Sequence, residues 1–209
     1  MKKKMYSLAS SSYTTPLRCI KLSPLLIRRN LRRKNLQLRR RNSQIRAMRA
    51  LIQRVSSSSV TVDGRIVSEI GPGLLVLIGI HESDTDSDAD YICRKVLNMR
   101  LFDNETTGKG WDQNVMQRNY EVLLVSQFTL YGFLKGNKPD FHVAMPPEKA
   151  KPFYASLVEK FQKAYKHDAV KDGVFGAMMK VNLVNDGPVT MQLESPQSSK
   201  NETKASTES

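Results

Sequence analysis

With two cysteines, three histidines and one tryptophan among 209 residues, the chain has little material for several common chemistries. Cys19 and Cys93 are too few for a disulfide framework or a cysteine-based zinc site. His81, His142 and His167 are scattered without ligand spacing, so neither a metal nor another cofactor is expected. The apolar stretch Leu22–Ile27 is broken by Pro24 and falls far short of the ~20 residues that span a bilayer, so a membrane is not an expected partner. No nucleophile elbow, Walker loop, dinucleotide fingerprint or zinc-binding histidine helix is present. The familiar hydrolytic and nucleotide-binding constellations are therefore set aside.

Acid is also missing, but only from one region. Residues Met1–Ala47 hold 14 Lys and Arg and no Asp or Glu, whereas Met48–Ser209 balances 19 basic against 20 acidic side chains. The net charge of +13 thus belongs to an extension, and the body is nearly neutral. Arg-rich, Ser-rich, acid-free composition is that of a mitochondrial or plastid transit peptide. A nucleic-acid-binding arm fits the same composition, as does an upstream start with Met48 as the working one. Residues 196–209 are rich in Ser, Thr, Lys and Glu and are expected to be a disordered tail.

From Met48 the pattern becomes one of short β runs. Ala50–Val55 and Val60–Val62 end at Asp63-Gly64, a dipeptide that supplies the positive φ angles of a tight hairpin. Arg65–Ile70 returns, Gly71-Pro72-Gly73 predicts a second turn, and the continuous apolar run Leu74–Ile80 predicts a buried central strand. Together these read as an antiparallel meander. A helix follows, capped at Asp86, Ser87 or Asp88, with Ala89, Ile92, Cys93, Val96 and Leu97 on one face. Glu121–Phe128 reads as a strand, Gly132–Pro147 as a loop, and Glu148–Lys166 as a second amphipathic helix. Val174–Val184 and Val189–Leu193 supply the last strands. The expected class is α+β: a single domain with a curved or barrel-like, mainly antiparallel sheet and two packed helices.

Two segments carry candidate chemistry. Ser126-Gln127-Phe128-Thr129-Leu130 sets polar side chains at the end of an apolar strand, where hydroxyls can also simply cap backbone groups. Thr129 needs a neighbouring base to act as a nucleophile, and the sequence identifies none. His142, on the loop that follows, is the histidine nearest in sequence to this segment, although a lone loop histidine is more often a solvated surface residue. Asn185-Asp186-Gly187-Pro188-Val189-Thr190 reads as a turn between strands. If its Gly-Pro bond is cis, neighbouring carbonyls can point together into a cavity and accept from an ammonium group.

These two segments, about 60 residues apart, occur with the opening Met48-Arg-Ala-Leu-Ile-Gln-Arg-Val and the Lys135-Gly136…Pro139 loop that runs to Pro146-Pro147. In that combination, Met48 to about Ser195 resembles the D-aminoacyl-tRNA deacylases, and Met48 coincides with that family's usual start. The resemblance implies a homodimer that hydrolyses the ester of D-aminoacyl-tRNA, and of glycyl-tRNA, while sparing L-aminoacyl-tRNA. It implies reaction chemistry around Ser126, Gln127, Phe128 and Thr129, and substrate contacts from Gly187, Pro188, Lys135, Ala144 and Met145. A Gly187-cis-Pro188 unit of one subunit is then the chirality filter for the other. Action in the cytoplasm is implied, with import into an organelle through residues 1–47 as an addition. The competing expectation is a non-enzymatic dimer that binds nucleic acid through its Arg-rich arm.

Overall fold

The computed structural model describes residues 47–196; the expectations for residues 1–46 and 197–209 fall outside them. Asp63 and Gly64 both take positive φ (49° and 78°), and the hairpin they form joins β1 (Arg49–Val62) to β2 (Arg65–Ile70). The turn expected at Gly71–Pro72–Gly73 does not reverse the chain. Ser58 faces Ile70 on β2 and Val55 faces Gly73 on β3 (Gly73–Gly79), so the register carries straight across the interruption. β2 and β3 are therefore two halves of one return strand lying along the same edge of β1, and the meander is a single long hairpin. The 14 residues of β1 are enough to hold both halves. The bend is fixed from outside: the Gly71 N–H donates to Glu121 Oε2 (2.8 Å), and the Glu121 N–H donates to the Pro72 carbonyl (3.2 Å).

β3 is the central strand its apolar run predicts. It pairs antiparallel with β1 and parallel with β4 (Glu121–Ser126), and β4 pairs parallel with β7 (Val170–Asp172). Parallel neighbours need long crossovers, and helices α1 (Asp86–Asn98) and α2 (Pro147–Ala164) lie in those two connections. The sheet curls until β7 meets β2, where Ser68 Oγ donates to the Asp172 carbonyl and Lys171 Nζ (2.6 Å) to that of Glu69. An α+β body with a nearly closed sheet results. Leu74, Val76 and Ile78 pack beneath the helices with Ile92, Val96, Leu157 and Phe161, whereas Leu75 joins Val55, Val60, Ile70, Leu123 and Val125 in a second cluster. Alternate residues of β3 thus enter different cores, which is why the strand has no polar face.

α1 is capped one residue before the expected positions, by Thr85, whose N–H donates to Asp88 Oδ2 (2.9 Å). All five residues of its expected apolar face are buried. Burial pushes the Cys93 thiol up to about 11, so it packs as a small hydrophobe and not as a reactive thiolate. After α2 the chain forms the short β7 and then β8 (Lys180–Glu194), which runs antiparallel along the other edge of β1. The two last strands read from the sequence are one strand with an insertion. Between the pairs Gln53–Thr190 and Val55–Asn185, Arg54 alone stands opposite Asp186–Val189. β8 is largely exposed, and among the described residues its outer edge pairs with no strand. The two ends of the body meet beside it: the Met48 N–H donates to Ser195 Oγ (3.0 Å) and the Ser195 N–H to the Met48 carbonyl (2.9 Å). No described helix is long and apolar enough to cross a membrane.

Candidate active site

At the end of β4 the chain leaves the ladder. Ser126 still pairs with Ile78, and the Gln127 N–H donates to the Ile78 carbonyl (2.6 Å). β4 ends two residues before the expected Phe128, and Phe128–Tyr131 then form a 3-10 turn. Four contacts fix this turn. Arg49 Nη1 donates to the Leu130 carbonyl (2.8 Å), its guanidinium lies 4.8 Å from the Tyr131 ring centre, and its Nε pairs with Glu194 (3.1 Å). Tyr131, fully buried, donates its hydroxyl to the Ala47 carbonyl.

A 3-10 turn leaves its leading N–H groups without partners inside the turn. Here those groups belong to Phe128 and Thr129, and among the described residues neither has an acceptor. They sit next to each other at an exposed position, free to receive an oxygen that carries developing negative charge. The Thr129 side chain is exposed and its hydroxyl bonds to the Gln127 amide, a group that cannot take up a proton.

The end of β3 brings a second segment to this place. The Met145 N–H donates to the Ile80 carbonyl (2.9 Å), and Ala144 bridges to His81. Ala144 and Met145 therefore approach Ser126–Thr129 through two successive parts of one strand. Between them, β5 (Phe133–Lys135) and β6 (Lys138–Asp140) form a small hairpin. Phe141, next in the chain, stands edge-on to the Phe128 ring at 5.0 Å. Lys135 projects into solvent and pairs with Asp140 (3.1 Å). The Lys135 ammonium, helped by His142, holds the Asp140 carboxyl down at about 2. His142 turns to Asp140 (3.0 Å) and is exposed, so the solvated reading of this histidine holds.

The same strand end carries a titration that reports on its packing. The His81 N–H donates to Asp84 Oδ2 (2.6 Å), yet burial pushes the Asp84 carboxyl up to about 7, with Asp88 adding repulsion. A native pKa above the unfolded value of ~3.9 means the folded state holds the extra proton, so stability falls as pH rises from ~4 to ~7. Asp84→Asn keeps an acceptor and removes the charge. It is expected to melt above wild type at pH 8, by about 2–4 °C for each ~1 kcal/mol recovered, with the gap closing toward pH 4. Thermal melts at several pH values test this, and a gap independent of pH would contradict it.

Gly187 and Pro188 lie elsewhere on the chain. Their peptide bond is cis, and Gly187 has φ 113°. The insertion that carries them is held at both ends. The Val189 N–H donates to Asn185 Oδ1 (3.0 Å), Asn185 Nδ2 donates to Thr190 Oγ1 (3.1 Å), and Arg54 Nε pairs with Asp186 (2.9 Å). Arg54 is itself anchored, with Nη1 donating to the Leu101 carbonyl (2.6 Å). Gly187 is near Arg54, which faces Leu74, while Ser126 faces Ile78 and lies three strands across from β8. At ~4.8 Å per strand and ~3.3 Å per residue, the two segments of one chain stand on the order of 15–20 Å apart. The structure thus gathers Ser126–Thr129 with Ala144 and Met145, and keeps Gly187–Pro188 away from them. Arg49 and Arg54 were not singled out in the sequence; the signal was there in two arginines bracketing the short run Ala50–Gln53 of β1.

Comparison with known proteins supplies the context. A protein-family model described as D-Tyr-tRNA(Tyr) deacylase matches residues 51–194. A D-aminoacyl-tRNA deacylase of Dictyostelium discoideum is 58% identical over 148 residues, which is 71% of this chain and 98% of that protein. D-aminoacyl-tRNA deacylase 1 of Homo sapiens is 53% identical over 149 residues, 71% of either chain. Among solved structures, a c-Myc DNA unwinding element binding protein is 52% identical with a TM-score of 0.69, covering 71% of this chain and 99% of that one. A probable eukaryotic D-amino acid tRNA deacylase, 18% identical with a TM-score of 0.63 and the same coverage, shares the fold.

Proposed function

Because the chain belongs to the D-Tyr-tRNA(Tyr) deacylase family, we propose that it acts as a homodimer whose chemistry and chirality filter come from different subunits. It is a hydrolase, and it cleaves the ester of D-aminoacyl-tRNA to free amino acid and tRNA. Water attacks the ester carbonyl, the bond to the terminal 3′-oxygen breaks, and that oxygen leaves as a hydroxyl. Such an ester is already activated, so the site has to orient it and stabilise an oxyanion. The free N–H groups of Phe128 and Thr129 are the oxyanion donors, and this is the observation that carries the mechanism. Ser126 and Gln127 shape the pocket, as do Ala144 and Met145. The 2′-hydroxyl of the terminal adenosine assists the water, and Thr129 is not a nucleophile, because its hydroxyl has an amide and no base beside it.

Gly187 and Pro188 hold the α-ammonium of the aminoacyl group through their backbone. The side chain of a D residue then has room and that of an L residue clashes, which excludes by shape. Glycine, having no side chain, passes the same filter, so glycyl-tRNA is a substrate too. A separation on the order of 15–20 Å between the Gly187 insertion and Ser126 within a chain supports a filter supplied by a second copy. So does β8, whose open edge and exposed Leu183, Val184 and Met191 are what a partner would cover. Lys135 faces the acceptor-stem phosphates. The enzyme works in the cytoplasm, and residues 1–47 direct import of a fraction of it into an organelle.

Mixed dimers test this division of labour. Gly187→Ala destroys a filter, and Thr129→Arg fills a pocket. If the filter acts across the interface, mixing the two inactive proteins restores one intact site per heterodimer, and hydrolysis of D-aminoacyl-tRNA returns. If it acts within a chain, every site stays broken. The kinship to a protein named for binding a DNA unwinding element favours a second reading, a nucleic-acid-binding dimer using the Arg-rich arm. The full chain binding duplex DNA while leaving both D- and L-esters intact would bring that reading forward.

A further inference from the structure

Two large aromatic side chains lie exposed beside the two halves of the proposed site. Phe128 is 58% exposed on the oxyanion turn, and Trp111 is 57% exposed near Gly187. Arg54 links Trp111 to the filter. Its guanidinium carbon is 5.8 Å from the Trp111 ring centre, and its Nη2 is 3.1 Å from where a Cβ on Gly187 would stand. Trp111 is also held on a firm support. The residue has φ 56°, in the left-handed region that a bulky residue seldom occupies. Its N–H donates to Asp103 Oδ1 (3.2 Å). The loop around it is closed by the Asn104 N–H to the Lys109 carbonyl (2.8 Å), the Gln113 N–H to the Phe102 carbonyl (2.9 Å), and Asn104 Nδ2 to Asp112 Oδ2 (3.0 Å). A fixed, solvent-facing indole in a rare backbone conformation is costly to keep for packing alone. On its flank, Arg100 and Lys109, both largely exposed, share the carboxylate of Asp112, and their guanidinium and ammonium groups still face solvent.

We propose that Trp111 is a binding residue for the unpaired 3′ end of the RNA, stacking on a nucleobase while Arg100 or Lys109 meets the adjoining phosphate. The inference rests on the dimeric deacylase reading: when Gly187–Pro188 of one subunit serves the turn of the other, Trp111 arrives with it and faces Phe128 across the bound nucleotide. An aromatic face beside cations is the general means of holding single-stranded nucleic acid, and it is indifferent to base identity. The acceptor end of tRNA is such a strand.

Trp111 is the one tryptophan of the chain, so its fluorescence reports on it alone. The probe is an adenosine carrying a D-alanyl group in amide linkage at the 3′ position, which the enzyme cannot hydrolyse as an ester. In the full-length protein this probe is expected to quench the emission, and D-alaninamide without the nucleoside is expected not to. Trp111→Ala is expected to raise KM for D-aminoacyl-tRNA about tenfold, the lower part of the range for one lost stack, with kcat and the preference for D over L kept. Trp111→Phe should recover most of that loss. Unchanged KM in Trp111→Ala, unmoved emission, or loss of the dimer on gel filtration overturns the inference. A collapse of D-over-L preference overturns it as well, because Trp111 would then act by positioning Arg54 and Gly187. Absence of D-ester hydrolysis by the wild-type chain removes the deacylase reading and this inference with it. Hydrolysis by wild type with any of the other failures removes the inference alone.

Discussion

Gly187→Ala is expected to lower kcat/KM for D-aminoacyl-tRNA by at least about 100-fold, the scale set by misplacing a substrate-positioning group by ~1 Å. A φ of 113° is one that L side chains rarely adopt, so strain arises whatever space is available. Space is short as well: the new Cβ would stand 2.8 Å from Val189 Cγ2 and 3.1 Å from Arg54 Nη2. Neither neighbour gives way easily. Val189 is tied through its N–H to Asn185, and Arg54 is held by Asp186 on one side and the Leu101 carbonyl on the other. The insertion must move, and the carbonyls proposed to receive the ammonium move with it. Backbone strain of this kind costs ~1–3 kcal/mol, which a body of this size survives. Single-turnover hydrolysis of matched D and L esters, beside a circular-dichroism melt, separates the effects. A folded variant within about threefold of wild type would falsify the role given to Gly187.

The second large effect comes from the substrate. A D-aminoacyl-tRNA whose terminal adenosine lacks the 2′-hydroxyl is expected to lose at least about 100-fold in kcat, the size of one well-placed proton-transfer group. Thr129→Ala is expected to lose less than about tenfold. Something has to orient the attacking water and handle its proton, and the Thr129 hydroxyl has the Gln127 amide for a partner. His142, the titratable side chain the sequence suggested for this neighbourhood, is paired with Asp140 and faces solvent. The proposed oxyanion donors are backbone N–H groups, which an alanine substitution leaves in place. The reverse outcome, with the deoxy substrate turning over normally and Thr129→Ala inert, would establish covalent catalysis by Thr129.

The parts of this arrangement that were legible beforehand are those that residue chemistry decides locally. Leu74–Ile80 has no polar alternation, and it is a strand buried on both faces. Ala150, Tyr154, Leu157, Val158 and Phe161 recur at helical spacing, and all are buried in α2, with Phe153 and Tyr165 at its margin. Asp63-Gly64 makes the hairpin it promised. What was hidden depends on partners distant in sequence. Gly71-Pro72-Gly73 shows that the chain bends, but the angle is set by β1 being long enough to pair with both sides of the bend, and by Glu121, 50 residues on. The 3-10 form of Phe128–Tyr131 depends on Arg49, 81 residues before the carbonyl it grips. Trp111 reads as an ordinary loop residue until Arg54 is placed beside it. Arg49 and Arg54 were visible as the charges of β1, but their partners were not. The site is therefore harder to read than the fold, since its geometry is built from non-local grips on short segments.

β1 is the first strand of the body to be synthesised, and its outer edge is occupied only by β8, the last. A ribosome thus releases nearly the whole body before β1 can finish pairing, and the contact that closes the ends, between Met48 and Ser195, spans 147 residues. Contacts this distant form slowly because the loop between them must be closed first. Arg49 and Arg54, which steady the Phe128–Tyr131 turn and the Gly187–Pro188 insertion, both sit on that waiting strand. A nascent chain stalled before residue 180 carries Ser126–Thr129 but has not yet made Asp186 or Glu194, so Arg54 and Arg49 lack their carboxylate partners until β8 is synthesised.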